Sequence, residues 1–412
     1  MIETRTVTVS PRNLEMQTVE YSPTAGELMT LQMGPQHPST HGVLRLEVDL
    51  DGERVVDVRP VVGYLHRAKE KIAEVKTYHQ WIPYTDRMDY TAPMSNNTGY
   101  VLAVEKLLGI EVTPRCKYLR TMLCELQRMA AHLVWLASAA LELGAASVFL
   151  YCFRERERIL DLFEWIAGAR FTVSFMRVGG VARDATDEWL RKAREFTDEF
   201  PARWEDYHKL LTENEIFIQR TKGIGFLSGE DCIRYGLTGP LLRASGVAFD
   251  LRRAEPYLAY PELDWEVAWG TEGDVYERYL VRMRELIESN KIVRQCIERM
   301  PGGPVNIDNP KIIYPPRHRV KTGMEDLIHH FMLACEGFRT PPGEVYHAIE
   351  APKGELGFYI FSDGGTQPYR LKVRSPSFTN LQGLKPMAVG AYFADLVPIV
   401  ASIDFIMGEV DR

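Results

Sequence analysis

A chain of 412 residues, at about 150 per domain, has the length for two or three domains, and its 45% hydrophobic, 25% charged composition is that of an ordinary globular protein. Disordered, collagen-like and coiled-coil chains are excluded. Lys and Arg total 49 against 56 Asp and Glu, a formal net charge of −7, so the chain as a whole lacks the basic balance of a nucleic-acid binder.

The N-terminal residues are polar with no apolar run behind them, so neither a signal peptide nor a transit peptide is expected. Residues 43–49 alternate with period two, Asp51-Gly52 supplies a tight turn and residues 55–58 return, which predicts a hairpin. From Pro93 the period becomes helical, with starts at Thr113-Pro114 and Asp184-Ala185-Thr186-Asp187, a stop near Gly144, and a long run over 274–300. Residues 129–153 are nearly all apolar and about the length of a bilayer span, but His132, Glu142 and Gly144 favour a buried bundle helix. Past the joint Tyr314-Pro315-Pro316-Arg317 comes one more helix. Residues 344–374 then read as three strands, separated by Pro352-Lys353-Gly354 and Asp363-Gly364-Gly365. The expected fold class is α+β, a central helical bundle with β-sheet elements from both ends of the chain. Its expected parts are an N-terminal β region at 1–64, the bundle at 65–330 and a C-terminal α/β region at 331–412.

Four segments hold candidate chemistry. GPQHPSTHG at 34–42 sets His37 and His41 on a loop stiffened by Pro38, so the two rings do not form a helical metal pair; a tight turn with satisfied imidazoles and a functional loop both fit. Residues 84–90 place Asp86 and Asp89 about Arg87, with the Tyr90 phenol after them, and the bland alternative is a surface loop with a local ion pair. GYLHR at 63–67, ending in Arg67, with Glu70 is similar. The run Arg154-Glu155-Arg156-Glu157-Arg158 reads as a solvated helix face. The six cysteines form no C-x-x-C pair, and no phosphate-binding glycine motif is present.

With GPQHPSTHG, GYLHR, DRMDY at 86–90, Val178-Gly179-Gly180, Ser362-Asp363-Gly364-Gly365 with Pro368-Tyr369-Arg370, and GEVDR at 408–412 in order along the chain, the sequence resembles the D-subunit family of proton-pumping NADH:quinone oxidoreductase, respiratory complex I. That family is similar to nickel–iron hydrogenase large subunits, so the resemblance implies a hydrogenase-like fold without its metal site. Asp89 and Ala92 stand where one hydrogenase cysteine pair would be, and Ile406 and Glu409, just after Asp404, where the other would be. Without four soft ligands nickel is not held.

The resemblance further implies a quinone headgroup site shared with the B subunit, whose terminal iron–sulfur cluster delivers the electrons, while NADH and FMN stay on other subunits. His41 and Tyr90 would be the catalytic proton donors at the two carbonyls. His37, Arg67, Arg87, Asp89, Glu142 and Asp404 would line the quinone pocket or lie near the partner's cluster. Glu142 replaces the family's usual aspartate, and Thr172, which cannot titrate, replaces a common histidine. Expected partners are the B, C and I subunits, the membrane subunit lining the quinone channel, and quinone, with no nucleic acid and no metal in this chain. The expected location is peripheral, on the cytoplasmic side of the bacterial inner membrane. A ferredoxin- or deazaflavin-fed relative of the complex and a non-catalytic scaffold are the rival readings.

Overall fold

A computed structural model describes residues 5–9, 17–21, 28–36 and 42–412, with side chains from residue 28 onward. Alternation builds the N-terminal sheet. In strand Arg45–Asp51 the side chains of Leu46, Val48 and Leu50 turn inward, and the strand pairs antiparallel with Met29–Met33 on one edge and Arg54–Val61 on the other. Its inner face packs on helices Leu384–Ala388 and Phe393–Ile403 through Leu384, Met387, Leu396 and Ile399. Backbone bonds from Val55 N to Ala391 O (2.9 Å) and Phe393 N to Glu53 O (2.8 Å) fix the docking. The two ends of the sequence thus share one core.

The centre is helical, as its periodicity predicts. Helix Pro114–Glu142 starts where Thr113 accepts from Cys116 N, and Val275–Glu298 starts where Asp274 accepts from Glu277 N at 2.7 Å. The apolar stretch at 129–153 is divided between Pro114–Glu142 and Ala146–Ala167 by a turn at Gly144, whose φ of 89° favours glycine. Among the described residues no helix is long and apolar enough to cross a membrane. Helix Pro114–Glu142 is covered on nearly all sides along its middle, so Arg120, Glu125, Arg128 and His132 are buried. Arg120 makes a two-pronged bond to Glu105 (2.9 and 2.7 Å), and Glu125 receives Arg128, Arg252, Tyr260 and Ser289. Deeper still, His132 meets Glu285 at 2.7 Å, and Glu285 meets Arg243 at 2.6 Å.

Strands Gly343–Ala351, Gly354–Ser362 and Arg370–Arg374 form the expected C-terminal antiparallel sheet, with the middle strand pairing to both others. It lies against helix Pro93–Leu108 where Gly99 lets Phe358 in; a Cβ there would stand 2.9 Å from the ring. Two expectations need correction. The Arg154 to Arg158 run is not a uniformly solvated face, because Glu155 and Arg156 are buried and Glu155 lies among Arg154, Arg158 and Arg203. The proline joint is followed by two helices, Arg317–Thr322 and Met324–Cys335.

Candidate functional site

The segment 86–90 is the turn between helices Tyr78–Thr85 and Pro93–Leu108, and it is built far more firmly than a surface loop. Asp86 is fully buried; one oxygen accepts from Asn97 Nδ2 at 2.7 Å, the other from the amide (2.9 Å) and hydroxyl (2.5 Å) of Ser174. With Asp86 anchoring the turn, Arg87 faces outward. Its side chain is 54% exposed and its Nη1 donates to Pro83 O at 2.7 Å. Asp89 turns inward, where its Oδ1 accepts from the amide and hydroxyl of Thr91.

Three chain segments distant in sequence meet at Asp89. Lys353, in the hairpin turn between Gly343–Ala351 and Gly354–Ser362, is buried with its ammonium 3.0 Å from Asp89 Oδ2, 3.0 Å from Thr91 Oγ1 and 3.9 Å from Asp404 Oδ2. Gly239 and Gly354 seat this turn back to back; a Cβ on Gly239 would stand 2.6 Å from Gly354 Cα. Asp404 ends helix Phe393–Ile403 in the left-handed region (φ 56°) and is buried. Glu409 follows, fully buried, accepting from the Ser377 amide at 3.2 Å and from the Ser377 hydroxyl. Asp89, Ala92, Ile406 and Glu409 are all buried; Asp89 contacts Lys353 and Glu409 acts on it electrostatically.

Electrostatics follow from this crowding. Burial alone would lower the Lys353 ammonium, yet Asp404, Asp89 and Glu409 raise it, so it stays charged. Burial raises the Asp404 carboxyl against Lys353 and Arg282. Burial and then Asp89 push Glu409 up to about 7. Lys69 crosslinks the site from helix Lys69–Ala73, donating to Arg87 O (2.5 Å) and Gly408 O (3.0 Å); burial lowers its ammonium to about 8.

Tyr90 is half-buried at the edge of this cluster. Its ring lies against Gly408, where a Cβ would stand 3.3 Å from Tyr90 Cδ1, and its hydroxyl has no hydrogen-bond partner among the described residues. Burial, then Asp89, raises its phenol, which keeps the proton in place. Next to it, the 63–67 segment is pinned by Asp411, which accepts from Gly63 N (2.8 Å) and Leu65 N (2.6 Å). A cavity of about 370 Å³ opens there, lined in part by Gly63, His66, Glu70, Arg370, Asp411 and Arg412.

The structure thus brings together Arg87, Asp89, Tyr90 and Asp404, with Arg67 exposed beside them, its amide bonded to Arg412 O at 3.4 Å. Glu142 lies at the end of helix Pro114–Glu142, with its carboxyl raised by burial to about 8. Thr172 is partly buried ahead of strand Met176–Arg177. His37 and His41 lie outside the described residues. Sequence reasoning passed over Lys353 and Lys69 as site residues. Lys353 read as a hairpin turn, and its only signal was the adjoining Gly354. Among the described residues no group of three or more His, Cys, Asp or Glu is placed to hold a metal ion.

Comparison with known proteins bears on the same segments. The family described as "Respiratory-chain NADH dehydrogenase, 49 Kd subunit" matches residues 142–412. The chain belongs to this family. The 49 kDa family is related to hydrogenase large subunits, in keeping with the mixed α/β architecture seen here. The chain is 55% identical over 386 residues to the D subunit of NADH-quinone oxidoreductase from Geotalea uraniireducens, covering 94% of this chain and 99% of the relative. The D subunit from Geobacter sulfurreducens is 52% identical with the same coverage, and the D subunit numbered 2 in Koribacter versatilis is 52% identical over 93% of this chain and 96% of its own.

Proposed function

We propose that this member of the 49 kDa family is a peripheral-arm core subunit of proton-translocating NADH:quinone oxidoreductase and forms, with the B subunit, the site where quinone is reduced to quinol. The observation that carries the reading is Tyr90: a protonated phenol whose donor is unused among the described residues, held over a buried ion cluster in the place that hydrogenases give to metal ligands. A phenol so held donates to a quinone carbonyl and stabilises the charge that develops on its oxygen. His41 supplies the second proton, with His37 near it and Glu142 acting through His41. Arg87, turned outward from an anchored turn, presents its charge to the B subunit, where it favours the reduced iron–sulfur cluster.

Further partners are the C and I subunits and the membrane subunit that lines the quinone channel, on the cytoplasmic side of the inner membrane. In this reading the 1–64, 65–330 and 331–412 regions are the working parts of the protein. Tyr90→Phe tests it. Assembly is retained, because no described partner of the hydroxyl is lost, and NADH:quinone turnover of the assembled complex falls by ~10² to 10⁴-fold. Unchanged turnover at saturating quinone would reduce Tyr90 to packing and refute the site.

A further inference from the structure

Helix Met324–Cys335 is turned inside out. Its apolar side chains Met324, Leu327, Ile328, Phe331 and Met332 recur at steps of three and four, which places them on one face, and that face points to solvent: each is between 43 and 72% exposed. Leu333, on the opposite face, is the only fully buried residue of the helix, with Asp326 and His329 partly buried on the same side. Few contacts hold the helix in place. Tyr314 donates its hydroxyl to Leu333 O at 3.1 Å and sets its ring against His330, and Arg319 Nε donates to Asp326 at 3.1 Å. A helix of 12 residues is marginal in water, and its stability comes from packing its apolar face. Among the described residues, none of the five stripe side chains joins a hydrophobic core.

The surroundings select what covers the stripe. Arg317, His318 and Lys321, on helix Arg317–Thr322 at the N-terminal end of the stripe, are exposed, and among the described residues Arg317 and Lys321 form no ion pair. Met324–Cys335 itself has no Lys or Arg, and Glu325 borders the apolar face. A helix that lies on an anionic lipid surface carries cations along its polar face, so the charge here is wrong for one. Apolar anchors at this spacing, with a Phe between adaptable Met thioethers, fit a groove in another protein. The cations gathered at one end require carboxylates at the matching end of that groove.

We propose that Met324–Cys335 docks by this stripe into an apolar groove of another subunit of the complex, with that subunit's carboxylates at the Arg317 and Lys321 end. The inference rests on the reading of the chain as a subunit of the complex and is independent of Tyr90.

The test is hydrogen exchange of residues 324–335 in the free chain and in the assembled complex, together with the affinity of the chain for the remaining peripheral-arm subunits purified without it. In the free chain these amides exchange fast, and assembly slows them at least ~10-fold. Phe331→Ser, at an exposed site, leaves the circular dichroism of the free chain unchanged and weakens binding roughly 30- to 300-fold. Lys321→Glu weakens it roughly 3- to 10-fold, a difference that high salt removes. Either variant binding as tightly as wild type, or equal exchange in free and assembled chains, overturns the proposal. So does protection that grows with the concentration of the free chain, which marks a second copy, or that appears on vesicles of anionic lipid alone, which marks a membrane surface. A wild-type chain that does not bind the other subunits at all refutes its place in the complex, and the docking face with it. Normal docking with a silent Tyr90→Phe leaves this face standing and removes the quinone site.

Discussion

Replacing Lys353 by Met keeps the length of the side chain and removes its charge from a place where water cannot substitute. The ammonium lies 3.0 Å from Asp89 and 3.9 Å from Asp404. At an effective dielectric of about 20 those contacts are worth about 5.5 and about 4.3 kcal/mol of gross attraction. Much of that is offset because the variant no longer desolvates an ammonium, and removing one partner of a buried pair typically costs ~3 to 5 kcal/mol. The sign of the pH dependence follows from the acids left behind. Burial already raises Asp404 and Glu409, so their folded forms favour the proton, and the folded state loses stability as pH rises through their raised values. Without Lys353 both rise further, so the variant approaches wild-type stability at pH 5 to 6 and is weakest near pH 8. Thermal dissociation of the assembled complex across that range is the assay. An equal loss at both ends of the range, or none at either, would refute the cluster as an electrostatic unit.

Gly408→Ala tests the seating of the C-terminal segment on the 86–90 turn. A Cβ would stand 2.7 Å from Met88 O and 3.1 Å from Arg87 O, so a cost of ~1 to 3 kcal/mol and a displaced Tyr90 are expected, seen as lower thermal stability together with reduced quinone turnover. Glu142 is raised by burial to about 8, so Glu142→Gln, a mimic of the protonated form, should match wild-type turnover below pH 7 and depart from it above pH 8. A large loss at pH 6.5 would show that the carboxylate is the working form.

Much of the fold could be read from local chemistry. Thr113, Thr186 and Asp274 were legible as helix starts because each caps with its own side chain, and the C-terminal strands were legible from the Gly-containing turns at 352–354 and 363–365 that separate them. Strand Met29–Met33 escaped because its burial does not alternate cleanly. The buried charges escaped for another reason. An arginine on a helix reads as solvent-facing until its partner is known, and Arg243 finds Glu285 and Glu350 42 and 107 residues away. The site was legible in part. DRMDY and the C-terminal segment were singled out as strings, but that Asp89, Asp404 and Glu409 converge on Lys353 depends on packing that no short window contains.

Lys69 and Gly408, joined by a 3.0 Å bond, are 339 residues apart. A ribosome delivers the first long before the second. Through most of synthesis the 86–90 turn therefore exists without its floor, with Asp89 lacking Lys353 and Tyr90 lacking Gly408. A nascent or prematurely released chain therefore lacks the assembled cluster around Lys353. Recruitment that requires this cluster is in effect a proofreading step, admitting only chains that have been translated through residue 409.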